Sequence, residues 1–350
     1  MADHRPPKLL TRLYSVILLL GLVLGWLFPQ FGQAFPTFRI HLGVFTLAVT
    51  PVFDFLFLVL FFSLLPIDLQ KVRDYLVRPR YWLPNLAFLG VSFGLLPWIW
   101  FQAGKFFHLE PELLFGLVFT IIAPTILLAP IFTELLNGDK EFAFLLSAFA
   151  TLISPLLIPL VAGWLLERSY HFNQLEVLIK GLILIVIPLL LKIALDSAGL
   201  NPLEGQRPAA QRWRETVRGI NIVLLALLFC SIMGDNKANI LNAGKADLWF
   251  LSLMAFLQDF GLYWISWAFL SRLKIDLGKA KALAVSLSLK NITLTIGMIQ
   301  SISSRAVLPG AVTFVAHSAL FALITLLGAD SLSPRAAFYR LKQKFIKEAV

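Results

Sequence analysis

Between residues 286 and 291 the chain reads Ser-Leu-Ser-Leu-Lys-Asn, which puts hydroxyls, an ammonium and an amide into a run otherwise apolar enough to cross a membrane. A lysine in hydrocarbon is costly, so it persists where a partner or a watery cavity receives it. Polar groups crowded in this way are what an interrupted helix lining a binding site carries. Ser286, Ser288, Lys290, Asn291 and Thr293 are therefore candidates for contact with a polar solute or ion. Asp259, beside Gln258 in another apolar run, is a candidate charge partner for Lys290. His317 is a candidate proton relay, because its ordinary titration range spans neutral pH. Asp54, a second acid in an apolar run, is expected to lie near an aqueous end or to cap a break after Pro51.

The elements that must position these groups follow from composition. Of 350 residues, 58% are hydrophobic and 14% charged, against about a quarter charged in soluble domains. Such a chain cannot cover itself with polar surface and belongs in a bilayer. The net charge of +10 sits in short connections between apolar runs, a membrane pattern rather than a nucleic-acid-binding face. One cysteine, Cys230, excludes an internal disulfide framework or a thiolate metal site and is expected to serve packing. No metal-ligand cluster or cofactor motif is present in the sequence, and no cofactor is expected.

A helix needs roughly 20 apolar residues to cross a bilayer. On that criterion spans fall near 10–29, 43–66, 82–104, 113–136, 142–166, 175–198, 217–235, 246–270, 279–302 and 306–328. The connections after spans two, six and eight are strongly basic, whereas those after spans one, three, five, seven and nine hold one or two basic residues each. With ten spans, every basic connection and both termini fall on the cytoplasmic side. A basic tail over 331–350, amphipathic in pattern, suits contact with anionic lipid. Ten spans divide into two repeats of opposite orientation, about 10–166 and 175–328, whose fourth and ninth spans correspond. Span four carries Pro124, followed by Thr125, and then Pro130; each proline removes a backbone donor. Span nine carries the Lys290 cluster. Both are expected to be interrupted near the middle.

Several stretches resemble the bile acid:sodium symporter family. They are Phe62-Ser-Leu-Leu-Pro-Ile-Asp-Leu69 with Arg78-Pro-Arg80, Ala123-Pro124 with Phe132-Thr-Glu-Leu-Leu-Asn-Gly-Asp139, Ser147-Ala-Phe-Ala-Thr-Leu-Ile-Ser-Pro155, and Leu308-Pro309 with Val315-Ala-His-Ser318. The resemblance implies an all-α polytopic fold with a panel and a core, two broken helices crossing in the core, and transport of organic anions by alternating access. It also implies sodium ligands, and here the chain departs. A Ser-Asn pair of the family falls on Ala129-Pro130, a bridging glutamate on Ser286, and two glutamines on Lys290 and Ser92. Ser147, Thr151 and Asn291 still match.

The expectation is a secondary carrier of small organic anions, independent of sodium. The Lys290 ammonium would stand where a cation stood, donating to Ser147, Thr151, Ser286 or the free carbonyls of the broken helices, and coupling would be absent or protonic. The alternatives are a transporter-like sensor without net transport and a sodium symporter with relocated sites. An intramembrane enzyme is disfavoured because no G-x-S-x-G or H-E-x-x-H motif occurs, although Ser286 and Lys290 are four residues apart. An ATP-driven pump would need a phosphate-binding loop, and an arsenite exporter a cysteine in span four; neither is present.

Overall fold

The computed structural model of the chain describes residues 8–33, 38–42, 45–65, 82–126, 129–166, 170–201, 208–273, 275–300 and 305–313, with a few isolated positions besides. His317, most of the expected tenth span and the 331–350 tail lie outside the described residues.

The described chain is helical apart from one hairpin. Helix α1 (Lys8–Leu27) and a short turn, α2 (Gln30–Gln33), lead into strands β1 (Phe38–Leu42) and β2 (Phe45–Val49), paired antiparallel. Helix α3 (Pro51–Leu64) follows. The hairpin occupies the start of the expected second span, so that helix begins later than its apolar run. Thr50-Pro51 sets the boundary: Thr50 Oγ1 accepts from the Phe53 N–H at 3.3 Å, and Pro51 sits where its missing donor is not needed. Thr50 is thus the cap, and Asp54 lies in the first turn.

Helices α4 (Trp82–Leu89) and α5 (Leu96–Phe106) are joined by a π-helical segment, Gly90–Leu95. Next come α6 (Pro111–Ile122), α7 (Ala129–Leu135), α8 (Lys140–Leu166), α9 (Gln174–Ser197) and α10 (Pro208–Asn242). Helices α11 (Lys245–Phe256) and α12 (Leu262–Arg272) flank a second π-helical segment, Leu257–Gly261, and α13 (Leu277–Ser288) and α14 (Ile292–Ile299) complete the set. Among the described residues, five stretches are long and apolar enough to cross a membrane: Leu83–Phe106, Lys140–Leu166, Gln174–Ser197, Gly219–Asn242 and Lys245–Arg272. A helix satisfies its own backbone hydrogen bonds, which lipid cannot do, so apolar runs of this length become helices.

Helices α1, α3, α9 and α10 pack side by side. Small residues permit the closest approach: a Cβ at Gly21 would come within 2.5 Å of the Ala226 carbonyl oxygen, and one at Gly25 within 2.3 Å of that of Cys230. Cys230 is buried at this seam. Helices α5, α8 and α12 pack against α6, α7, α13 and α14, while α2 lies on α10.

Candidate functional site

The α6–α7 and α13–α14 interruptions meet each other. Pro124 has no N–H and drives the preceding residue out of helical geometry; Ala123 accordingly has ψ 140°. Pro130 stands in the first turn of α7, where proline is tolerated. Break two contains no proline; Leu289 is extended at φ −89°, ψ 107°. Across the gap Thr125 and Lys290 pair as an antiparallel bridge. The Asn291 N–H donates to the Pro124 carbonyl at 2.6 Å, and the Ile126 N–H to the Leu289 carbonyl at 3.0 Å. Two broken helices therefore supply each other with the bonds that neither lipid nor its own continuation provides.

The last carbonyls of α13 are all taken. That of Val285 accepts from the Leu289 N–H at 2.9 Å, and that of Ser286 from Thr125 Oγ1 at 2.7 Å. Those of Leu287 and Ser288 accept from Gln258 Nε2 at 3.2 and 3.1 Å. Gln258 sits fully buried on the second π-helical segment, with Asp259 buried beside it. Trp100 Nε1 donates to Gln258 Oε1 at 3.0 Å.

Lys290 is 1% exposed. Its Nζ donates to Ser92 Oγ at 2.5 Å and to the Ser92 carbonyl at 3.4 Å. Ser92 is carried by the first π-helical segment. The two π-helical segments thus both aim at break two, Ser92 taking the ammonium and Gln258 supplying the amide. The Ser147 hydroxyl donates to the Ala143 carbonyl at 2.8 Å, the usual way for a serine inside a helix to place its proton. Thr151 Oγ1 and Ser286 Oγ are buried without a hydrogen-bond partner among the described residues. Ser288 Oγ donates to the Val285 carbonyl at 3.2 Å, and Thr293 Oγ1 to Asn291 Oδ1 at 2.8 Å. Asn291 and Thr293 retain slight exposure, 6% and 7%, at the mouth of α14. Glu134 is exposed and pairs with Lys140 at 2.6 Å.

Two further buried lysines escaped the reading from sequence. Lys180 and Lys192 lie on the buried face of α9, paired with Glu176 and Asp196 respectively. Their acids four residues away were the available signal. Asp196 also accepts from Asn201 Nδ2 at 2.6 Å.

Residues 53–243 match the Sodium Bile acid symporter family. The chain belongs to that family. This is a family of membrane transporters rather than enzymes, which makes the chain a multi-pass membrane protein with a small-molecule substrate. Among curated proteins no match was found. The matched stretch includes the first break and Ser92 but ends before α13, so Gln258, Lys290 and the second break lie beyond it.

Sodium wants several oxygen ligands, preferably with a carboxylate. Around the second break the α13 carbonyls already have donors, and the Lys290 Nζ lies beside them on Ser92.

Proposed function

We propose that the protein is a secondary transporter of small organic anions that works by alternating access without sodium, with Lys290 in place of the coupling cation. The observation that carries this reading is the buried Lys290 ammonium held on Ser92 at the crossing of two broken helices. A sodium ion 4 Å from that charge would meet a repulsion of about 4 kcal/mol at an effective dielectric near 20. Asn291 and Thr293, at the N-terminus of α14, are assigned to the substrate headgroup, where the helix dipole favours an anion. Ser286, Ser288, Ser147, Thr151 and Thr125 line the remainder of the site. Asp259 is the carboxylate assigned to balance Lys290, and His317 a proton relay in a protonic version of the cycle.

The architecture that goes with this reading is one transmembrane domain of ten spans in two inverted repeats, about 10–166 and 175–328, with both termini and the 331–350 tail on the cytoplasmic side of the cell membrane. Paired breaks and paired π-helical segments at matching places in the two halves support it.

The test is thermal unfolding of purified protein against a panel of organic anions, in sodium and in potassium, for wild type and Lys290→Ala. A ligand at 100 times its dissociation constant stabilises by about 2.7 kcal/mol. Wild type is expected to gain equally in both salts, and Lys290→Ala to lose the gain or to need sodium for it. A wild type that needs sodium would be a symporter with relocated sites. Binding without net flux in liposomes would make it a sensor.

A further inference from the structure

A helix that stops inside a membrane leaves four carbonyls without intrahelical donors, and in hydrocarbon no water supplies them. At the end of α13 two of these carbonyls, of Leu287 and Ser288, face a single side-chain nitrogen, Gln258 Nε2. The identity of that atom is fixed by chemistry. An indole N–H can only donate, so the Gln258 atom facing Trp100 must be the oxygen, and the nitrogen must face the carbonyls. Gln258 is 0% exposed, so no solvent competes for either end of its amide.

Its placement repeats across the molecule. Ser92 precedes the first break, and Gln258 the second, by nearly the same number of residues, each on a π-helical segment. Both side chains nevertheless serve the second break: one accepts the ammonium there, and the other donates to its carbonyls. A pair of carbonyls converging on one point is half of a cation site. Occupied by an N–H donor, it is complete without a cation.

We infer that Gln258 is a positioning residue that makes the second break self-sufficient, its amide doing at the Leu287 and Ser288 carbonyls what a bound cation would otherwise do. This deepens the sodium-free reading above and rests on it. Lys290 accounts for the charge at the site, whereas Gln258 accounts for the helix end, and Trp100 holds Gln258 in the productive orientation.

The informative variant is Gln258→Glu, which keeps the side chain's shape but replaces its donors with an acceptor. Two carbonyls and a carboxylate then converge as oxygen ligands. Thermal unfolding of the purified full chain would be followed while sodium chloride replaces N-methylglucamine chloride at constant ionic strength. Gln258→Glu is expected to show a saturable rise of a few degrees with sodium, and wild type none. If both are blind to sodium, this inference is overturned while the sodium-free reading stands. If wild type itself rises with sodium, both fall together. Should Gln258→Glu fail to fold, Trp100→Phe serves, since it keeps an aromatic ring but removes the N–H that orients the amide. Hydrogen exchange at residues 288–292 is expected to rise several-fold in that variant with the rest of the protein unchanged; wild-type exchange there would overturn the inference.

Discussion

At the scale of single residues the site separates groups that are used from groups that are idle. Ser92 Oγ accepts from a buried ammonium, and a hydrogen bond to a charged group contributes roughly 1.5–3 kcal/mol. Ser92→Ala should therefore lower stability by about 2 kcal/mol, seen as a reduced unfolding temperature, and Ser92→Thr should restore most of it. Ser286 Oγ has no partner among the described residues, so it contributes no hydrogen bond in this state. Ser286→Ala should leave the unfolding temperature unchanged or raise it, yet weaken stabilisation by substrate if that hydroxyl meets the ligand. Equal losses for the two variants would mean that the hydroxyls are equivalent, contrary to their contacts. Lys290 and its polar neighbours were legible in the sequence because a charge in an apolar run has few explanations. Ser92 entered the site only through the resemblance, as the position of a family glutamine; nothing local marked it as an acceptor for Lys290, which is 198 residues away.

At the scale of elements, legibility tracked the cause of each interruption. The first break announced itself through Pro124, whose chemistry is local. The second has no proline; it is held open by Thr125 and Gln258, which come from other parts of the chain. The π-helical segments and the hairpin over 38–49 left no sign that competes with an apolar run. One element contact bears directly on movement. At the end of α14, Gln300 Nε2 donates to Asp235 Oδ2 of α10 at 2.8 Å, and Gln300 Oε1 accepts from Thr50 Oγ1 ahead of α3 at 3.4 Å. Gln300 thereby ties a broken helix of the crossing to the neighbouring bundle. Gln300→Leu should speed amide exchange in α14 and in the first turn of α3 and leave α13 as it was. A rise spread evenly over all helices would instead report general loss of stability.

At the scale of the whole molecule, contacts between connections show which loops share an end. The Asp139 N–H donates to the Gly278 carbonyl at 3.0 Å and Lys281 Nζ to the Leu136 carbonyl at 2.7 Å, so the turn after α7 and the start of α13 lie together. Asn201, after α9, reaches the Leu65 carbonyl, after α3, at 3.4 Å. Elsewhere, Phe107 packs on Phe250 with centroids 4.7 Å apart, and Phe115 on Tyr170 at 4.6 Å, setting the connection before α6 against α11 and the connection after α8 against α6. On the positive-inside reading proposed above, the end holding the turn after α7 and the start of α13 is the cytoplasmic one. Orientation then has a direct test, because Cys230 is buried and silent to a membrane-impermeant maleimide. Glu110→Cys, exposed just before α6, should label in intact cells; Lys279→Cys, exposed at the start of α13, should label only after permeabilisation. The reverse result would turn the molecule over and place the basic connections outside. Labelling of both in intact cells would break the proposed alternation itself, since that topology places Glu110 and the turn that touches Gly278 on opposite faces.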